Sequence, residues 1–246
     1  MSAVGKVQSL WRYPVKSMCG EELEEAFMGL HGVCGDRLFA FGSAASSKGA
    51  LYLTARDQKE MLLYRPRFRH PEKAVPSADP ADLAVDVETP SGEALAIDDP
   101  ALIRRLRERI GDGQAVTLLR SERAMTDCRP VSLFSVQTVN QLGREVGVAI
   151  DKLCFRANIY LDLDSPTGFH EDSFVGRELR IGEKVRLSIL ERDPRCNMIT
   201  LDPDTGESDP RILRAVAQGH AGKAGVYASV LVEGRVRRGD AVELVG

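Results

Sequence analysis

Turn residues cut this chain into short alternating segments, and that punctuation limits its fold more than any other feature. In "ELRIGEKVRLSIL", "VYASVLVEG" and "DAVELVG", apolar and polar residues exchange at nearly every second position, with glycine and acid steps between runs. A period of two puts one face of a strand on a core and the other toward solvent. Similar runs occur at "KVQSLWRYPV", "DRLFAF", "AVTLLR" and "NIYLDL", and "LAVDVETPSGEALAI" is two short strands around a Ser91–Gly92 turn. "RIGEKVRL" and "RRGDAVEL" resemble each other as strand entries after tight turns. Only three stretches carry helix signals. "DPALIRRLRERIG" has Asp98 or Asp99 as cap, Pro100 in the first turn and Gly111 as stop. "SVQTVNQLGREVG" starts at Ser135 and puts Val136, Val139 and Leu142 on one face; "SDPRILRAVAQG" has Ser208 or Asp209 as cap and Gly219 as stop. The fold class is therefore mainly β with a few helices, α+β.

The length of 246 residues fits one large domain or two small ones. "HPEKAVPSADPADL" is a Pro- and Ala-rich loop, and near "RSERAMTDCRP" the strand pattern gives way to loop. These features divide the chain into 1–120 and 121–246. A net charge of −3 excludes a global nucleic-acid footprint, so any anion site must be a local cluster. The first residues lack the apolar region of a signal peptide, and no run approaches the ~20 apolar residues of a membrane span. A cytoplasmic protein with no membrane partner is the expectation. Five widely spaced cysteines form no CxxC pair, and HExxH, GxSxG, GxxxxGK[ST] and GxGxxG are absent.

Four stretches carry chemistry. In "YPVKSMCGEE", Lys16 and Ser17 set an ammonium beside a hydroxyl, a pair suited to a phosphate oxygen. A solvated lysine at a strand end is the other reading. In "GVCGDRLFAF", Arg37 follows Asp36 in a turn and either pairs with it or faces an anion. In "FRANIYLD", strand alternation sends Arg156 and Asn158 to one face, where they could bracket a planar anionic ligand. In "ERDPRCNMITLDPDTGE", Cys196 lies beside Arg195 and near Arg192. Its thiol is core filler, a nucleophile or a soft-metal ligand, and the polar turn around it is a poor place to bury a small hydrophobe. "LDPDTGESD" lacks the order of a calcium loop and is a tight turn with Gly206 at positive φ.

Taken together, "YPVKS", "GDR", "LTAR", "FRANI" and "PRCNMITLDPDTGE" resemble, in that order, the MOSC family. That family is named for the C-terminal domain of molybdenum cofactor sulfurase. The likeness spans nearly the whole chain and is nearest to the mitochondrial amidoxime-reducing component and its bacterial counterparts. It implies a β-barrel MOSC domain after an N-terminal β-rich subdomain, and a molybdenum cofactor (molybdopterin) in a basic pocket between the halves. By motif position, Cys196 would ligate molybdenum and act as the catalytic thiolate. Lys16, Ser17 and Arg37 would hold the phosphate and pterin; Arg156, Asn158, Arg195 and Tyr227 would line the site. The implied activity is reduction of N-hydroxylated small molecules, with the metal accepting oxygen. Without a cysteine cluster or dinucleotide motif in the chain, electrons would come from a flavin or iron–sulfur reductase partner. The alternative is a sulfur or cofactor carrier using a Cys196 persulfide. No pyridoxal phosphate is expected. The chain departs from the pattern at Asp193, where relatives often have a cysteine, and at Cys128–Arg129, where they have small hydroxyl residues.

Overall fold

The computed structural model describes residues 2–43, 51–108 and 115–245, and the structural statements below concern these. The alternating segments become strands. The first half holds β1 (Ser2–Arg12), β2 (Glu21–Leu23), β3 (Glu25–Gly29), β4 (Gly32–Val33), β5 (Phe39–Ser43), β6 (Arg65–Phe68), β7 (Val85–Glu88), β8 (Ala94–Ala96) and β9 (Val116–Arg120). The second holds β10 (Val131–Ser135), β11 (Ile159–Leu163), β12 (Glu178–Ile181), β13 (Val185–Pro194), β14 (Lys223–Val232), β15 (Gly234–Arg237) and β16 (Ala241–Val245). Helices α1 (Pro100–Glu108), α2 (Val136–Val146) and α3 (Pro210–Gly219) fall in the three stretches with helix signals.

Seven strands close into a barrel in the order β1-β11-β10-β14-β13-β12-β16, with β16 returning to β1. Only β10 and β11 run parallel. Closure removes the open sheet edges that would otherwise pair with another chain. The first strand of the chain thus completes a barrel otherwise built from second-half strands. Gly5, at φ 152°, makes the close approach possible: a Cβ there would lie 2.3 Å from the Asp162 carbonyl oxygen. Val7, Leu133, Leu161, Leu187, Val226 and Val242 fill the barrel interior. Each such side chain contributes roughly 1.5–3 kcal/mol over leaving it exposed.

A second core lies under the β5–β9 ladder and the β6–β7–β8 meander, where α1 buries Leu102 and Leu106 against residues such as Phe41, Met61 and Val87. A third joins α2 and α3 to the barrel through Phe134, Phe155 and Tyr160. Local caps follow the sequence. Ser135 Oγ accepts from the Thr138 amide, and the Asp209 carboxylate accepts from the Arg211 amide. Asp99 does the same for Ala101 at the start of α1; the expected stop at Gly111 lies outside the described residues. Among the described residues, no helix is long and apolar enough to cross a membrane.

"YPVKS" is the hinge of this arrangement. β1 leaves the barrel at Arg12, which is buried against Glu21 at 2.7 Å. Val15 then bridges to Phe39, and the Lys16 amide donates to the Phe39 carbonyl at 2.8 Å. Lys16 and Ser17 therefore stand where the barrel meets the second core.

Candidate functional site

A cavity of about 480 Å³ opens between the barrel and the N-terminal core. All eight residues singled out from the sequence line it: Lys16, Ser17, Arg37, Arg156, Asn158, Arg195, Cys196 and Tyr227. They come from the β1 exit, the turn before β5, the approach to β11, the end of β13 and the middle of β14. Among the described residues, six cationic side chains and two carboxylates, Asp127 and Asp193, line the wall. In a chain of net charge −3, this is a concentrated local excess of positive charge.

Three cations form its floor. Burial works against the charge of Arg37, but the adjacent Asp36 carboxylate overcomes this and holds the guanidinium above its ordinary pKa. Lys16 Nζ donates to Asp127 Oδ1 at 2.6 Å and to the Met125 carbonyl at 2.9 Å. Its pKa is nonetheless lowered, first by burial and further by Arg37 and Arg156, against the opposing Asp127. Among the described residues, Arg156 forms no ion pair with a carboxylate, and its buried Nη2 has no hydrogen-bond partner. Burial and then the nearby Arg37 push its pKa down, with Tyr13 opposing. The Tyr13 ring carries both guanidinium groups, Arg156 at 4.3 Å and Arg37 at 4.7 Å from its centroid. An unpaired buried guanidinium is costly unless a ligand supplies the missing anion.

Backbone strain marks the same residues. Of the five non-glycine residues described at positive φ, Ser17 (67°), Arg37 (48°) and Arg156 (53°) line this cavity. Left-handed conformations cost non-glycine residues of order 1 kcal/mol or more and persist where the surroundings over-determine them. Arg156 is thus not the strand residue that alternation implied. It caps the short 3-10 helix Lys152–Phe155, ahead of β11. The cap turns its side chain into the cavity, while its carbonyl accepts from Arg37 Nη2 at 3.2 Å.

Cys196 lies just beyond the end of β13, exposed, as the residue preceding the 3-10 turn Asn197–Thr200. The arginines near it have other tasks than sequence proximity implied. Arg192 is absent from the cavity lining; it pairs with Asp172 at 2.8 Å and donates to the His220 carbonyl. Arg195 lines the wall, but its Nε and Nη1 donate to the carbonyls of Ala224 (2.7 Å) and Phe155 (2.9 Å), and its Nη2 pairs with Asp193. Arg195 is a strut that ties the Cys196 segment to β14 and to the 152–155 turn. Asn158 is committed likewise: its Oδ1 accepts from the Ser132 amide and its Nδ2 donates to the Trp11 carbonyl. Two further thiols reach the wall. Cys154 is buried, and burial pushes its pKa up to about 12. Cys128 is exposed, with its pKa raised by burial and by Glu191. Neither environment favours a thiolate.

Local sequence does not signal the roles of Tyr13, Thr54, Arg56, Asp127 and Asp193. Tyr13 opens "YPVKS", and its stacking role was legible only once both arginines were placed. Thr54 and Arg56 belong to "LTAR" and reach the wall from across the cavity. Asp127 follows from charge complementarity to Lys16, which no local pattern encodes.

Comparison with known proteins adds to this geometry. The model of the MOSC domain matches residues 120–243, and that of the MOSC N-terminal beta barrel domain matches residues 4–116. Mitochondrial amidoxime-reducing component 1 of Mus musculus is 26% identical, covering 100% of this chain and 84% of that protein. Component 2 of Rattus norvegicus is 24% identical over 85% of this chain and 70% of its own length. Molybdenum cofactor sulfurase of Drosophila mojavensis is 28% identical over 61% of this chain, and the match spans only 18% of that protein. The crystal structure of YuaD from Bacillus subtilis shares the fold, with a TM-score of 0.51 at 15% identity over 98% of this chain and 95% of that one.

Proposed function

The chain belongs to the MOSC family, and on that premise we propose that it is a molybdenum-cofactor-dependent reductase of N-hydroxylated small molecules. The observation that carries the reading is Arg156: a guanidinium with a buried, unpartnered Nη2, in a cationic cavity that also holds an exposed thiol. A pterin phosphate is the kind of group that completes such a site. It would supply the anion that Arg156 lacks, with Lys16, Ser17 and Arg37 as further holders, and the soft Cys196 sulfur suits molybdenum. The cavity volume falls in the range of cofactor and small-molecule sites, roughly 300–1,000 Å³. When bound, the cofactor supplies a two-electron redox centre able to accept oxygen. The chain's own residues would hold the anion and position Cys196 through the Arg195 strut.

Electrons come from a separate flavin or iron–sulfur reductase, since the sequence offers no cysteine cluster or dinucleotide motif of its own. The carrier reading draws on the exposure of Cys196, which would leave a persulfide accessible to an acceptor protein. One experiment separates the two. Protein isolated with its cofactor is given an amidoxime with NADH or NADPH alone, and again with a reductase system added. Turnover only in the second case supports the reductase. No turnover in either, with a persulfide on Cys196 by mass spectrometry, supports the carrier.

A further inference from the structure

Of the six cations on the cavity wall, the anion site accounts for four. Asp36 holds Arg37, Asp127 holds Lys16, and Asp193 with two carbonyls holds Arg195, while Arg156 awaits a phosphate. Arg56 and Arg129 are left over. Both are exposed, and they reach the wall from the two halves of the chain, Arg56 ahead of the 3-10 helix Lys59–Leu63 and Arg129 ahead of β10.

Arg56 stands on a fixed turn. Asp57 Oδ2 accepts from the Thr54 amide at 3.2 Å and from Thr54 Oγ1 at 2.9 Å. The Thr54 carbonyl accepts from the amides of Asp57 and Gln58, each at 2.9 Å, and Thr54 itself is buried. Among the described residues, the Arg56 guanidinium forms no ion pair and makes one long hydrogen bond, from Nε to Thr54 Oγ1 at 3.4 Å. The Asp127 carboxylate feels its charge but is already held by Lys16 Nζ at 2.6 Å. Arg129 uses Nε alone, 2.7 Å from Glu191 Oε1, and both partners of that pair are about half exposed. Exposed pairs of this kind hold an arginine only loosely. A solvated surface arginine is the plain alternative, and it explains neither the buried turn under Arg56 nor the convergence of two uncommitted guanidinium groups on one cavity.

A substrate N–O group has to approach the metal beside Cys196, which is exposed and lines this cavity. The remainder of the molecule then lies along the wall that carries Arg56 and Arg129. A planar fork of N–H donors matches a carboxylate in shape and charge. We infer that Arg56 and Arg129 are specificity residues that select N-hydroxylated substrates bearing a carboxylate. The inference rests on the reductase reading and adds to it the charge of the substrate. The carboxylate is bound and not transformed, so the N–O chemistry is unchanged by it.

The test uses cofactor-loaded wild type, Arg56→Gln, Arg129→Gln and the double variant, with reduced viologen as donor and pterin content as the check on loading. The substrates are benzamidoxime, its 4-carboxy derivative and its 4-trimethylammonio derivative. Both positions are exposed, so the variants should fold as wild type does. The readout is kcat/KM for the carboxylate divided by that for benzamidoxime, a ratio in which any effect on the donor cancels. Wild type should favour the carboxylate by roughly tenfold, at about threefold per arginine, and should disfavour the trimethylammonio compound. Each single variant should cut the ratio by about threefold and the double variant should bring it near one, mainly through KM. Added salt should shrink the wild-type preference. Calorimetry without donor should show the carboxylate binding more tightly than benzamidoxime in wild type and not in the double variant. A wild-type ratio below about twofold overturns the inference, as does a ratio that survives in the double variant. A surviving ratio with turnover lost only when a protein donor replaces the viologen also overturns it, and assigns the two arginines to the partner's surface. Wild type that is loaded yet inert toward all three compounds overturns the reductase reading and the inference with it; an active wild type indifferent to substrate charge overturns the inference alone.

Discussion

Arg156→Met isolates the electrostatic argument, because methionine keeps much of the apolar stem and removes the charge. In the cofactor-free protein the guanidinium forms no ion pair among the described residues, has Arg37 nearby, and is favoured mainly by the Tyr13 face at 4.3 Å, with a smaller contribution from Asp36. That stacking contributes about 1 kcal/mol, whereas replacing poorly compensated buried charge with apolar volume stabilises by roughly 1–4 kcal/mol. The left-handed backbone at φ 53° is equally strained with either side chain and cancels. The variant should therefore be more stable than wild type without ligand, by about 1–2 kcal/mol, or a rise in Tm of roughly 2–8 °C for a chain of this size. Anion binding should move the other way. Two unit charges about 4 Å apart attract by about 4 kcal/mol at an effective dielectric of about 20. Solvent at the cavity mouth reduces this to about 2–3 kcal/mol, a loss of roughly 30- to 150-fold in affinity. Thermal melts with and without inorganic phosphate or pyrophosphate measure both effects. Wild type should gain in Tm with the anion and the variant should gain little. A variant less stable than wild type without anion, yet equally stabilised by it, would refute the account of Arg156 as an unpaired cation awaiting a ligand.

Asp127→Asn frees Lys16 from a competing carboxylate 2.6 Å away. Asp127 is 73% exposed at its side chain, so folding stability should change by less than about 1 kcal/mol, while calorimetry should show phosphate binding several-fold tighter. Asp172 has its pKa raised from 3.8 to about 6 by burial, against Arg192. Its protonated form is favoured by folding, so this contribution is present below about pH 4 and lost as pH rises through 6. Asp172→Asn should thus raise Tm above pH 7 and change little at pH 4; the shift is worth at most ~3 kcal/mol, and about 1 kcal/mol after screening of a partly exposed group. Gly225 sits at φ 73°, where a Cβ would lie 2.5 Å from Phe134 Cδ2 and 3.0 Å from Arg195 Nη2. Gly225→Ala should cost about 2–4 kcal/mol in urea unfolding and displace the Arg195 strut.

Much of the fold could be read locally, and the residues singled out from the sequence share one cavity. Ser135 and Asp209 are caps because a short oxygen-bearing side chain precedes an amphipathic run, and Gly206 adopts φ 69° because "DPDTG" demands a turn. What could not be read is non-local. β1 pairs with β11 and β16, both in the second half of the chain, and no local pattern names a strand's partners. Alternation assigned Arg156 to a strand, but Asp151 caps a short 3-10 turn that ends in a left-handed residue. The same limit applies to Arg192, whose closeness to Cys196 along the chain is undone by its pairing with Asp172. Asp127 and Tyr13 take their roles from residues more than twenty positions away, so their functions become visible only in three dimensions.

The claim on which the functional account turns is that the Cys196 sulfur is the protein ligand of a molybdenum centre in this cavity. Molybdenum X-ray absorption on freshly isolated wild type and Cys196→Ser, each with pterin content measured, tests it most directly. The account predicts stoichiometric molybdenum and pterin in wild type, and one sulfur neighbour fewer in the variant with pterin retained through Lys16, Ser17, Arg37 and Arg156. Wild type without molybdenum, or a variant whose spectrum is unaltered, would contradict it.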